Sequence, residues 1–342
     1  MESLHSDTLT HVWAGLIVFV LFLYVVMDGF DLGIGLLFAI VPERDERDVM
    51  MNSVAPLWDG NETWLVLGGG GLFAAFPLAY AILMPALYPL VIAMLLGLIF
   101  RGVAFEYRWR TERARWLWDV AFIGGSFVAA MSQGMILGAI VQGVEVSGRA
   151  YGGGWWDWAT PFTLMTGMAV VCGYLLLGAT WLIMKTEGRL QEHMRQMAWP
   201  LWLGTIGFII TVSLATLFID DGLYMGRWLG ARTGLLMAAA VWTVIGVIGF
   251  VMYRSLLSMT NDHRPFLLTL ALFGLSFFGL SMSLYPYVVP DSVTIFEAAS
   301  PAKSQIFMLV GVMITLPLIL GYTGYAYWTF RGKIDPAHGY HS

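Results

Sequence analysis

The chain has 342 residues, 58% of them hydrophobic and only 12% charged, with a mean hydropathy of +0.72. Soluble domains run at about 45–50% apolar and about 25% charged residues, so this composition excludes disorder, a coiled coil and an ordinary soluble enzyme. The net charge of −5 gives no reason to invoke nucleic acid, and the single Cys172 excludes a disulfide framework or an iron–sulfur cluster held by this chain alone.

In chain order, nine apolar stretches are each long enough to cross a bilayer as a helix: 9–41, 50–76, 78–100, 117–142, 161–186, 197–219, 234–257, 265–286 and 304–330. The sequence therefore predicts an all-α integral membrane protein, one polytopic domain over 1–342. Two four-helix bundles plus one peripheral helix are a natural packing for nine spans. The longest segments between spans, 101–116, 143–160, 220–233 and 287–303, leave no room for a large soluble domain. Pro77 and Pro265 suit helix starts, where a missing N–H costs nothing.

Lys and Arg set the orientation. Fourteen of the eighteen fall in one alternate set of connecting segments and four in the other, which puts the N-terminus outside and the C-terminus in the cytoplasm. Residues 1–8 hold no Lys or Arg, so the first span is expected to be a retained helix rather than a cleaved signal. Trp155, Trp156 and Trp158 outside, and Trp109, Trp116 and Trp118 inside, read as an interfacial aromatic belt.

A charge at bilayer depth costs at least ~2.5–3.5 kcal/mol and is by default a functional candidate. The first span carries Asp28-Gly-Phe-Asp31-Leu-Gly-Ile-Gly35, with its two carboxylates three residues apart on one helix face. Asp31 lies about 15 Å from the predicted inner end. Its glycines allow another helix to approach closely. The plainest reading of Asp31 is a buried carboxylate paired with Arg101, which ends the third span on the same side.

The second span carries Pro56-Leu-Trp58-Asp59-Gly-Asn61-Glu62, with Asp59 about 14 Å past the predicted inner end. Pro56 suggests a kink. Trp58, Asp59, Glu62 and Asp28 are candidates for a carboxylate path for protons from the cytoplasm. Polar adhesion between helices competes with that reading for Asp59 and is favoured for Glu62. Gly68 to Gly71 predict close helix contact or a local break, since glycine weakens a helix. Gln133 reads as a helix–helix hydrogen bond and Asp119 as interfacial. Asp220, Asp221 and Glu297 read as solvated groups at the outer face.

Of the six histidines, His5, His11, His193, His263, His338 and His341, none lies in mid-span. A membrane haem usually needs an axial imidazole, so this chain alone is a poor haem protein, and no metal site is expected on it. The twenty methionines suit core packing better than copper.

Five segments together resemble subunit II of the cytochrome bd-type quinol oxidases. They are Asp28-Gly-Phe-Asp-Leu-Gly-Ile-Gly35, Asn52-Ser-Val-Ala-Pro56, Trp58-Asp-Gly-Asn61, Phe73-Ala-Ala-Phe76 and Arg101-Gly-Val-Ala-Phe-Glu-Tyr-Arg108. The match is dense over 28–119 and continues more diffusely through Gly178-Ala-Thr180, Tyr285-Pro286 and the last span. It includes the cyanide-insensitive branch of the family. The resemblance implies a complex in the bacterial cytoplasmic (inner) membrane that oxidises ubiquinol at the outer face and reduces O2 to water. It implies a subunit I partner carrying haem b558, haem b595 and haem d (or b), with small accessory transmembrane subunits in some members. Subunit II supports the haem assembly, holds a structural quinone in some members and contributes to a cytoplasmic proton path. By the same resemblance Asp59 beside Trp58 takes the proton-path position, and Asp31 and Arg101 take a buried ion pair. A proton-coupled secondary transporter would also show many spans, glycine breaks and buried carboxylates, but it leaves the ordered motif set unexplained.

Overall fold

The computed structural model describes residues 2–219, 223–258 and 261–334. Asp220, Asp221, His338 and His341 lie outside the described residues, as does the side chain of His5. The first half of the chain forms α1 (Glu2–Leu37), α2 (Arg44–Asn52), α3 (Trp58–Ala75), α4 (Pro77–Tyr107) and α5 (Arg115–Gln142). After a two-residue hairpin, β1 (Val146–Ser147) with β2 (Ala150–Tyr151), come α6 (Pro161–Lys185) and α7 (Gly188–Thr216). The short α8 (Leu223–Leu229) leads to α9 (Arg232–Ser258) and α10 (Arg264–Leu284). A second hairpin, β3 (Tyr287–Val289) with β4 (Val293–Thr294), then leads through α11 (Ile295–Ala298) to α12 (Ala302–Thr329).

Among the described residues, eight helices are long and apolar enough to cross a membrane: α1, α4, α5, α6, α7, α9, α10 and α12. The continuous second span predicted over 50–76 is not observed. Met51 accepts backbone hydrogen bonds from both Val54 and Ala55, Val54 accepts one from Leu57, and Pro56 has no N–H to give. The chain turns over 53–57 instead of kinking, and α3 begins at Trp58. With Asp59, Asn61 and Glu62 in its first turns, the 18-residue α3 is not apolar enough to be one of the eight. Gly68 to Gly71 lie inside it without a break. Gly68 packs on Leu21 and Gly71 on Ile17, whereas Gly69 and Gly70 face open space.

Helix α1 lies at the centre and packs on α3, α5 and α6, with lighter contact to α10 and α12. Helix α4 lies along α5, α5 along α6, and α6 along α7 and α10, which pairs with α9. The tightest crossing joins α1 and α6 at Gly33 and Gly178. A Cβ at Gly33 would overlap the Tyr174 carbonyl, and one at Gly178 would come within 2.6 Å of the Gly33 carbonyl carbon. Phe30 stacks on Trp181 beside this crossing, with ring centroids 4.1 Å apart. Gly97 and Gly125 make the equivalent approach between α4 and α5.

Helix α12 buries only Gln305 among its side chains and is held at its two ends. At one end Trp13 Nε1 donates to the Gln305 carbonyl at 3.2 Å. At the other, Lys333 donates to the Thr186 carbonyl at 2.8 Å and to Asp262 at 2.5 Å, and Arg195 also pairs with Asp262. Partial burial pushes the Asp262 carboxyl up, but Lys333, Gln191 and Arg195 outweigh it and hold the group below its ordinary value. The strap therefore keeps its full strength at neutral pH and weakens only in acid.

Replacing Gly33 with Ala is expected to lower the unfolding midpoint in detergent, since overpacking of this kind costs about 1–3 kcal/mol. Gly69→Ala, with nothing within 4 Å of its Cβ, serves as the neutral control. Equal midpoints for the two variants would contradict the crossing described here.

Candidate functional site

The register of α1 separates two tasks. Gly29 and Gly33 face Tyr174 of α6, while Asp28 and Asp31 turn toward α3 and α4. From α4, Arg101 enters this space fully buried. Its Nη1 donates to Asp28 Oδ1 at 2.9 Å and to Glu62 Oε1 at 2.8 Å, and its Nη2 lies 3.6 Å from Asp31 Oδ2. The predicted Asp31–Arg101 pair is thus the longest arm of a four-member cluster, and the shorter arms go to Asp28 and Glu62. Asp31 has its own donor, Asn61 Nδ2 at 2.8 Å, and Asn61 Oδ1 accepts from the Tyr327 hydroxyl at 2.9 Å. An arginine cannot shed its charge in a protein, so carboxylates gathered round it answer the cost of burying a cation.

The cluster continues toward α5 and α6. Tyr24, one turn before Asp28 on α1, brings its hydroxyl beside that carboxyl. Gln133 Nε2 donates to the Tyr24 oxygen at 2.6 Å, and the Tyr174 hydroxyl donates to Gln133 Oε1 at 2.6 Å. Gln133 is therefore the helix–helix link the sequence suggests. The two tyrosines it joins lie in otherwise apolar stretches, where a hydroxyl leaves no charge signal.

Asp59 is placed differently from the sequence expectation. Its predicted depth assumed an unbroken helix from residue 50, and the turn at 53–57 removes that length. Asp59 is exposed in the first turn of α3, at a cavity of about 500 Å³ lined also by Trp58, Asn61, Glu106, Tyr322 and Tyr327. Trp58 stacks on Phe105 with centroids 5.1 Å apart and rests on Gly102. Asn61 links the cavity wall to the buried cluster, because it lines one and donates to Asp31 in the other. Two carboxylates and no cationic side chain line this space, which suits water and protons.

A second ion network ties the ends of α2, α4 and α5. Arg108, fully buried, donates to Asp119 at 2.5 Å and to Asp48 at 2.6 Å. Arg47 reaches Asp119 at 2.9 Å, and Arg115 reaches Asp48 at 2.7 Å. Asp119, read from the sequence as interfacial, is buried near the start of α5 between Arg47 and Arg108. Glu297 is exposed as expected and closes a capping box with Thr294 at the start of α11.

The described histidines do not offer haem an axial position. The three histidines with described side chains, His11, His193 and His263, are not buried and stand near helix ends, so none offers an interior axial imidazole. Among the described residues no three His, Cys, Asp or Glu side chains are arranged to hold a metal ion.

The family described as cytochrome bd terminal oxidase subunit II matches residues 9–330. The chain belongs to that family. Cytochrome bd-I ubiquinol oxidase subunit 2 of Escherichia coli K12 is 30% identical over 362 aligned residues, covering 96% of both chains. Cytochrome bd ubiquinol oxidase subunit 2 of Bacillus subtilis 168 is 27% identical and covers 98% of both. A chain of the solved bd oxidase from Geobacillus thermodenitrificans shares the fold with a TM-score of 0.77 at 17% identity, covering 94% of this chain and 98% of that one. With its eight apolar helices, this bd oxidase subunit II is a multi-pass membrane protein and a component of a haem-containing terminal oxidase. The transporter reading is not favoured.

Removing Arg101 tests the cluster. Arg101→Gln leaves Asp28, Asp31 and Glu62 facing one another without a cation, and breaking a buried ion pair costs about 3–5 kcal/mol. The variant is expected to lose most of its yield in detergent or to melt well below wild type. A wild-type melting curve would show that the cluster carries no structural weight.

Proposed function

We propose that the chain is the subunit II of an oxidase in the bacterial cytoplasmic membrane that oxidises ubiquinol and reduces O2 to water. Subunit I carries haem b558, haem b595 and haem d or a further haem b, which supply electron transfer and O2 binding. Small accessory transmembrane subunits and membrane lipid complete its surroundings. In this reading 1–342 is a single membrane domain with nine spans, α3 being the ninth. Helices α1, α3, α4 and α5 form one bundle, α6, α7, α9 and α10 a second, and α12 stands at the periphery. The excess of Lys and Arg on alternate connections favours an external N-terminus and a cytoplasmic C-terminus.

The reduction of one O2 takes four electrons and four protons, and two ubiquinols supply four electrons while releasing four protons. Drawing the consumed protons from the cytoplasm and releasing the quinol protons outside builds a potential without a pump. The observation that carries this chain's part is the acidic cavity at Asp59, which reaches the buried ion cluster through Asn61. Asp59 concentrates protons at the mouth, Trp58 fixes the wall by stacking on Phe105, and Arg101 holds the acids behind it. The chain binds and moves protons and leaves the redox steps to subunit I.

Asp59→Asn in the purified complex is expected to keep the haem content while slowing ubiquinol-driven O2 uptake and proton uptake several-fold. Full turnover with unchanged proton uptake would remove Asp59 from the path.

A further inference from the structure

We propose that Glu62 is a proton-loading carboxyl: of the three acids around Arg101 it is the one that takes up and releases a proton, while Asp28 and Asp31 stay fixed acceptors.

The charge count supplies the first argument. Three carboxyl groups lie within 3.6 Å of one guanidinium, and no other Lys, Arg or His pairs with them among the described residues. Fully ionised, the cluster would hold two uncompensated negative charges in a dry interior, where charges left unpaired are strongly unfavourable. The guanidinium occupies the centre, so a metal ion would be repelled from the position where its charge is needed. A proton on one carboxyl removes one of the two excess charges and leaves the two remaining carboxylates sharing the guanidinium.

Hydrogen bonding decides which acid exchanges. Asp28 is 1% exposed and receives Arg101 Nη1. Behind it, Tyr174 donates to Gln133 and Gln133 to Tyr24, which leaves the Tyr24 proton free for Asp28. Asp31 is 0% exposed and receives Asn61, which in turn accepts from Tyr327. Both aspartates therefore end chains whose donors point at them. Glu62 has no such chain. Its one donor, Arg101 Nη1, is shared with Asp28, and its side chain remains 24% exposed.

Exposure supplies the route. Glu62 lies three residues after Asp59, on the same face of α3. The groups that face it are Arg101 from α4, Asp28, Asp31 and Tyr24 from α1, and Asp59 from its own helix. Inside the cluster, Asp28 Oδ2, Asp31 Oδ1, Arg101 Nε and Arg101 Nη2 are buried without a hydrogen-bond partner. A hydronium at the Asp59 side gives up one O–H bond and becomes water as the O–H bond forms at Glu62 Oε2, since Oε1 accepts from Arg101, and the proton returns to a water when that bond breaks.

The test is infrared difference spectroscopy of the purified complex between acid and alkaline buffer, in H2O and in D2O. A carboxylic-acid C=O band that shifts in D2O is expected in wild type and lost in Glu62→Gln. Glu62→Asp, which keeps the charge if the amide variant misfolds, is expected to move the band or its pH midpoint. A band unchanged in either variant, or absent from wild type, overturns the proposal. The infrared readout does not depend on turnover. An oxidase with no ubiquinol-driven O2 uptake would sink the functional reading on which the physiological meaning of Glu62 rests, and leave the loading site to be judged on its band.

Discussion

Arg101 holds a permanent positive charge in the interior of an apolar helix bundle, and the packing around it follows from the need to answer that charge. Its carboxylate partners come from two other helices, Asp28 and Asp31 from α1 and Glu62 from α3. Those helices must stand at fixed heights for the contacts to form. The requirement fixes the face of α1 that carries acids and therefore the opposite face that must be bare. Gly29, Gly33 and Gly178 are consequences of that division, because α6 closes on α1 where no side chain intervenes. The motif spanning Asp28 to Gly35 is one solution to two demands on one helix.

The same cluster organises the chemistry available to the chain. A charged centre in low dielectric orients the polar side chains around it, and the donors of Tyr174, Gln133, Tyr24, Tyr327 and Asn61 all lead inward. Only the α3 side opens outward, through Glu62, Asp59 and the cavity beside α12. Helix α12 buries little of itself and is positioned by its ends, so the strap at Lys333, Asp262 and Arg195 also sets the cavity wall that carries Tyr322 and Tyr327. Carboxylates, tyrosines and an amide are groups that can bind protons, and the described histidines stand away from this cluster.

Hydropathy made the eight long apolar helices legible to within a few residues at most ends, since burial in lipid demands length and little else. The second span was misread for a physical reason. The turn at 53–57 is built from backbone hydrogen bonds among ordinary apolar residues, and only Pro56 marks it in the sequence. The depth assigned to Asp59 was counted along that helix and lost its basis with it. The meeting of Arg101 with the first span was legible because a lone arginine and a lone acid pair on the same side have few alternatives. That Asp28 and Glu62 take the shorter contacts was not, because side-chain reach across three helices depends on their relative rotation. The Tyr24–Gln133–Tyr174 thread and the Arg108 network join residues far apart in sequence, and no local pattern announces either one.

The central claim is that this chain handles protons and holds its partner's haems in place without ligating any. A reduced-minus-oxidised optical spectrum of the chain, purified by tag from membranes with and without subunit I, tests it most directly. The account predicts haem bands only in the preparation that contains the partner. Stoichiometric haem on the isolated chain would contradict it.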